Sequence, residues 1–187
     1  MSLAGRTERD LVHDPDPRTL ARAREGDVSA FEDLVRAYQA DLWRFTYSYT
    51  RDRALAEDAT QEAFIRAYRF LPSFRGDSRF TSWLFRIARN CALDIIRSRK
   101  SQEDRALRAP DPIGPPDPVT RLELQTALSA VSDDHREPFL LIEVFGLSYQ
   151  EAADVLRVRV GTVKSRMHRA RAAMMGALAV EEDAGEL

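Results

Sequence analysis

The chain has one cysteine, Cys91, among its 187 residues. A lone thiol cannot close an internal disulfide, so a disulfide-framed secreted fold is excluded and a reducing cytoplasm is the expected compartment. Cys91 sits in an apolar helical pattern, where packing is its default role. Histidine is also scarce, with three scattered residues, so no metal site is expected. No N-terminal apolar run resembles a signal peptide, and no apolar stretch is long enough to span a membrane, so membrane insertion is not expected. A phosphate-binding glycine loop, a histidine-rich ligand set and a nucleophile–base pair are all missing, which argues against a cofactor and against catalysis. There is no period-two alternation of any length and no internal repeat, so strands and solenoids drop out. Net charge is only −2. Any affinity for nucleic acid must therefore come from local patches.

What remains is a globular composition, 44% hydrophobic and 31% charged, with apolar residues at helical spacing. The most informative stretch is residues 147–171, LSYQEAADVLRVRVGTVKSRMHRAR. Ser148 and Glu151 form an S-x-x-E capping box that starts one helix, with Ala152, Ala153 and Leu156 on its apolar face. Residues 157–160 break the pattern, and a second helix is expected from near Gly161. Projected at about 100° per residue, Val163, Met167, Ala170 and Met174 fall on one side, and Lys164, Ser165, His168 and Arg169 broadly opposite. Between residues 155 and 180 there are six bases (Arg157, Arg159, Lys164, Arg166, Arg169, Arg171) and no acid. A solvated structural helix normally interleaves signs at i,i+4. A small-residue helix, a short turn and a cationic helix describe a helix-turn-helix whose second helix enters the DNA major groove.

Residues 1–17 are polar, and a mobile tail is expected there. A short helix is expected over 18–25, stopped by Gly26. Asp27 then caps a longer helix carrying Phe31, Leu34, Val35, Tyr38, Leu42, Phe45 and Tyr49. A third helix spans roughly 53–70, with Ala59, Ala63, Phe64 and Ala67 on its apolar side. Asp58, Gln61 and Glu62 share the other side with Ile65, and an apolar residue among unpaired carboxylates suggests a contact surface for a partner. After the loop 72–77, a fourth helix is expected from about Ser78 to Lys100. Leu84, Ile87, Ala88, Cys91 and Ile95 mark its buried side, with Arg86, Arg89, Asn90, Arg97 and Lys100 opposite. Between residues 66 and 100 nine bases (Arg66, Arg69, Arg75, Arg79, Arg86, Arg89, Arg97, Arg99, Lys100) face two acids (Asp77, Asp94), 9 − 2 = +7. Phe74, Phe80 and Trp83 lie nearby, and Phe80 and Trp83 are open to being core residues instead. Cations beside aromatic rings suit a single strand, whose phosphates need charge and whose unstacked bases need π-faces.

Residues 109–118, APDPIGPPDP, hold five of the nine prolines and read as an extended linker between two domains. Asp117 and Pro118 open a further helix carrying Leu122, Leu124, Ala127, Leu128 and Val131. Another follows over about 134–145 and ends at Gly146. The tail EEDAGEL is acidic.

Three motifs in this order, EDATQEAFIRAYR, SFRGDSRFTSWLFRIARN and GLSYQEAADVL…VGTVKSRMHRAR, resemble those of a group 4, or extracytoplasmic-function, sigma factor of bacterial RNA polymerase. The resemblance covers about 18–178. It implies an all-α fold of two small helical domains joined by a flexible Pro-rich linker: a tail over 1–17, a four-helix region 2 domain over 18–100, the linker over 101–118, a region 4 helix-turn-helix domain over 119–179, and an acidic tail over 180–187. It implies that Asp58, Gln61, Glu62 and Ile65 bind the β′ clamp helices of core polymerase, with the β flap as a further contact. It implies −10 DNA contacts at Phe74, Arg86, Arg89, Asn90 and Arg97, with Phe74 and Asn90 facing a base flipped from the non-template strand. Lys164, Ser165, His168 and Arg169 match positions that face −35 DNA in relatives, and Arg171 a phosphate contact. Ile142 stands where relatives can carry a base, and His168 where some carry an aromatic. An anti-sigma factor is the implied regulatory partner.

Two other functions compete. An autonomous helix-turn-helix regulator would explain the C-terminal half but neither the acidic face at Asp58 nor the basic-aromatic helix. It would also bind duplex DNA tightly alone, whereas a sigma factor needs core polymerase to hold its domains at the right spacing. A metal-dependent nuclease using Asp58 and Glu62 would lack any further ligands.

Overall fold

The computed structural model describes residues 12–106 and 131–184. The chain divides into two compact units, Met1–Ile113 and Gly114–Leu187, at a point inside the proline-rich segment. Among the described residues there is no strand.

The first unit is a chain of helices whose starts are set by acidic caps. α1 (Pro17–Arg24) begins with a proline at its first position and with the Asp16 side chain accepting from the Arg18 and Thr19 amides. Gly26, at φ 95°, turns the chain, and Asp27 caps α2 (Val28–Thr50) by accepting from Ala30. Arg51 closes α2 in the left-handed region at φ 52°. Asp52 then caps α3 (Arg53–Phe70) through the Leu55 amide. A short 3-10 turn, Leu71–Ser73, leads through a loop to α4 (Phe80–Ala106).

α3 packs on both α2 and α4. It does so through a row of small residues, Ala56, Ala59, Ala63 and Ala67, all buried. Alanines keep the helix axes close, and the large residues come from the neighbours: Leu34, Leu42 and Phe45 on α2, Leu84 and Phe85 on α4. The Phe45 and Phe85 rings meet at 4.9 Å between centroids. One polar contact crosses this core. Thr46 Oγ1 lies 2.9 Å from Thr60 Oγ1, and each hydroxyl also reaches the Ala56 carbonyl, at 3.1 and 2.7 Å. Both threonines are buried, so a missing partner here would leave a desolvated group.

In the second unit, α5 (Asp133–Phe139) runs directly into a π-turn, Leu140–Val144. Phe145 N–H donates to the Leu140 carbonyl five residues back, and Gly146 leaves the turn at φ 72°. α6 (Tyr149–Leu156) has the full capping box: Ser148 Oγ accepts from the Glu151 amide at 3.2 Å, and Glu151 Oε2 accepts from the Ser148 amide at 2.6 Å. Arg157, at φ 56°, ends α6, and α7 (Val160–Ala184) follows. α7 packs on α5 and α6 through Val163, Met167 and Ala170, all buried.

Several boundaries differ from expectation. Of the expected mobile tail, residues 12–16 are packed against the first unit: Val12 is buried and Asp14 bonds to Thr81. α4 starts two residues after Ser78 and continues six beyond Lys100 to Ala106, because residues 101–106 contain no helix breaker and proline first appears at Pro110. The linker therefore begins later than residue 101. α7 likewise runs to Ala184, past residue 179, the expected end of the second domain. Ile87 and Ile95 are half-buried, while Phe80, Trp83 and Phe85 join the core of α4. The helix expected from Asp117 lies outside the described residues.

Candidate nucleic-acid interface

α7 separates its faces as its periodicity requires. Val163, Met167 and Ala170 are buried, and Lys164, Ser165, His168 and Arg169 are exposed on the far side. The Ser165 hydroxyl donates back to the Thr162 carbonyl at 3.0 Å. Among the described residues Lys164, His168 and Arg169 have no ion-pair partner. They form an exposed donor set, beginning one turn into a helix whose opposite face is buried.

Two bases counted with this set are occupied. Arg166 lies 3.6 Å from Asp134 of α5, and Arg171 donates to Glu143 of the π-turn. The apparent absence of acids near α7 was a property of the local sequence. Acids from α5 and the π-turn come in across the packing interface.

The same correction applies to α4. Arg66 donates to Glu62 at 2.7 Å and to Asp94 at 3.1 Å, Arg79 to Asp14 at 3.1 Å, Arg97 to Asp94 at 3.5 Å, and Arg99 to Asp52 at 3.0 Å. Among the described residues at least four of these nine bases are thus paired with acids, and Glu62, Asp14 and Asp52 come from outside α4. Arg86, Arg89 and Asn90 are half-buried and Arg97 is exposed. They fall at i, i+3, i+4 and i+11, so one face of α4 carries them all.

Phe74 is buried, 7% exposed. Its ring centroid is 5.1 Å from Trp83 and 6.1 Å from Phe80, and Phe80 and Trp83 meet at 5.7 Å. Phe80 also touches Tyr38 at 5.5 Å. Both rings that the sequence left open between core and binding surface, Phe80 and Trp83, are core. A base meeting Phe74 would meet the edge of this cluster rather than a free-standing ring.

The face of α3 is more open. Asp58 and Gln61 are exposed and Ile65 is 48% exposed. Asp58 has no ion-pair partner among the described residues, whereas Glu62 is paired with Arg66, so only one of the two carboxylates is unpaired as expected. Tyr68, 44% exposed, extends the stripe by one turn and rests against Phe31 at 5.0 Å. Sequence reasoning passed over Tyr68, although the spacing 58, 61, 65, 68 would have found it. Below this face, burial pushes the Cys91 thiol up to about 11, which makes it inert rather than nucleophilic. No group of residues able to hold a metal occurs among the described residues. No described helix is long and apolar enough to cross a membrane.

The family profile for Sigma-70 region 2 matches residues 34–102, and that for Sigma-70, region 4 matches residues 121–174. The chain is 36% identical over 187 residues to the RNA polymerase sigma-H factor of Pseudomonas aeruginosa, covering 90% of this chain and 96% of that protein. It is 34% identical over 176 residues to the ECF RNA polymerase sigma factor SigW of Bacillus subtilis, covering 84% and 93%. Among solved structures, the sigma factor RpoE from Bartonella quintana, in complex with the anti-sigma factor NepR, is similar with a TM-score of 0.69 at 30% identity, over 82% of this chain and 99% of that one.

Proposed function

The chain belongs to the extracytoplasmic-function group of the sigma-70 family, and from that premise we propose how its surfaces divide the work of a sigma factor. It directs promoter-specific initiation by RNA polymerase and performs no catalysis itself. The α3 face of Asp58, Gln61, Glu62 and Ile65, extended by Tyr68, docks on the β′ clamp helices of core polymerase, and the second unit meets the β flap. Phe74, Arg86, Arg89, Asn90 and Arg97 meet the −10 element, with Asn90 supplying hydrogen bonds to an unpaired base at the edge of the Phe74 cluster. Lys164, Ser165, His168 and Arg169 read the −35 element in the major groove. Arg171, held by Glu143, contributes less to DNA than Lys164 or Arg169. Residues 18–106 act as the region 2 domain and 119–184 as the region 4 domain, in the cytoplasm. An anti-sigma factor covering these surfaces is the regulatory partner, a reading supported by the relative seen in such a complex.

The observation that carries this reading is the unpaired, exposed set Lys164, His168 and Arg169 on a helix anchored by Val163, Met167 and Ala170. The test is transcription by purified core polymerase, with and without this protein, on a promoter-fragment library. New start sites are expected, and they disappear with Gln61→Ala, Glu62→Ala, Lys164→Ala or Arg169→Ala. No protein-dependent transcript, together with tight duplex binding by the protein alone, would favour an autonomous regulator and overturn the proposal.

A further inference from the structure

Residues 12–16 precede α1 and run between α2 and the start of α4. Val12 is 8% exposed, and the His13 carbonyl accepts from Tyr38 Oη at 2.5 Å. Asp14 reaches further. Its Oδ1 accepts from the Thr81 amide at 3.0 Å and from the Thr81 hydroxyl at 2.8 Å, and its Oδ2 accepts from Arg79 Nε at 3.1 Å.

The Thr81 amide is one that α4 cannot satisfy for itself. The first intrahelical bond runs from Trp83 N–H to the Arg79 carbonyl at 3.1 Å, which makes Arg79 the residue at the N-cap. Such a position normally carries Ser, Thr, Asp or Asn, whose side-chain oxygen accepts from the second or third helical amide. Arginine has no acceptor to offer. Ser78 and Asp77, which do, stand one and two residues too early. Asp14 supplies the missing acceptor from 67 positions away, and its charge also suits the helix N-terminus. The turn it holds is packed: Thr81 is 1% exposed, and Phe80, 2% exposed, touches Tyr38, Phe74 and Trp83. The strap, α2, the first turn of α4 and the loop bearing Phe74 are thereby joined.

We propose that Asp14 is a positioning residue for promoter opening. It fixes the first turn of α4 and, through Arg79 and the Phe74–Phe80–Trp83 cluster, holds the loop in the geometry that receives an unpaired base. This rests on the reading of that loop as a −10 element. The bonds of the Asp14 carboxylate go to Arg79 and Thr81 at the start of α4 and none goes to α3, so losing it leaves the docking face on α3 intact.

The test uses full-length protein with core polymerase on a promoter selected by transcription in vitro. It reads permanganate reactivity of −10 thymines, affinity for core polymerase, and amide exchange at Thr81 and Ser82. Asp14→Ala is expected to lower opening about fivefold, the effect of losing one N-cap, with faster exchange at both amides and unchanged core affinity. Asp14→Asn keeps the oxygen that faces Thr81 but turns an amide NH2 toward the Arg79 donor, so it restores the opening only in part. Thr81→Val, which removes only the hydroxyl bond, lowers opening in the same direction by less. Wild-type opening with both Asp14→Ala and Thr81→Val would overturn the proposal while sparing the −10 reading. Parallel loss of opening and core affinity would make Asp14 a residue of the fold at large and would also overturn it. If Phe74→Ala and Asn90→Ala leave the permanganate reactivity of the −10 thymines unchanged, the −10 reading fails and this proposal with it.

Discussion

Alanine substitutions at Lys164, Arg169 and Arg171, made one at a time, distinguish a free base from one already held. All three are exposed on α7, but only Arg171 is bonded to an acid, Glu143. A base that neutralises one phosphate adds about 0.9 to the slope of log affinity against log salt, so from about 50 to about 200 mM salt one contact changes affinity about 3.5-fold, or about 0.7 kcal/mol. The competing pair is partly exposed, with 52% of the Arg171 side chain and 25% of Glu143 accessible, and such pairs contribute roughly 0.2–1 kcal/mol. The two energies are of the same size, so Arg171 should give up much of its contribution to DNA. Binding of polymerase holoenzyme to a fluorescent −35 duplex, followed by anisotropy across a salt series, measures the slopes. Lys164→Ala and Arg169→Ala, which remove base contacts, are expected to weaken binding by about 1–3 kcal/mol each, and Arg171→Ala to lower the slope by less than about half of the roughly 0.9 expected for a free phosphate contact. Glu143→Gln removes the competitor and should raise the Arg171 contribution toward the full value. An Arg171→Ala slope change of about 0.9, with Glu143→Gln silent, would refute the argument.

Four further outcomes are expected. Thr46→Val should destabilise the protein by about 1 kcal/mol in urea unfolding, the net loss of a buried hydrogen bond, since the Thr60 hydroxyl keeps its bond to the Ala56 carbonyl. Native Cys91, buried with its thiol pushed up to about 11, should resist iodoacetamide near neutral pH and react only in denaturant. Since the unfolded thiol ionises earlier, stability should also fall as pH rises past the ordinary thiol value of 9.0. At the acid end, hydrogen bonds from the Ala30 and Leu55 amides, with help from Arg22 and Arg99, hold the Asp27 and Asp52 carboxyls below the ordinary value of 3.8. Their contribution is present above that value and should be lost as pH falls through the lower folded values, which Asp27→Asn and Asp52→Asn would flatten in a pH series of melting temperatures. Ser148→Ala, which removes one arm of the capping box, should cost about 1 kcal/mol in the same unfolding assay.

Most of the helical order was decided within the sequence. Asp27 and Ser148 announced the starts of α2 and α6, and Gly26 and Gly146 the stops before α2 and after the π-turn, because caps and breakers act on amides and carbonyls within about four residues. The same short range explains why the faces of α7 could be projected correctly: Val163, Met167 and Ala170 against Lys164, His168 and Arg169 follow from 3.6 residues per turn alone. The likeness of three motifs to those of sigma factors likewise lay in the residues themselves.

Tertiary structure decided which of those side chains are available. Counting charges along the chain gave two strongly basic surfaces, but Asp14, Asp52, Asp134 and Glu143 arrive from other elements and occupy Arg79, Arg99, Arg166 and Arg171. Helical spacing marked Phe74, Phe80 and Trp83 as aromatic without saying that they would close on one another and leave Phe74 only 7% exposed. The start of α4 depended on a carboxylate 67 residues earlier. Local sequence specifies a helix and its faces because those interactions are made within one or two turns. Ion pairing, burial and a cap supplied across the fold depend on distances in space, which only the packed chain sets.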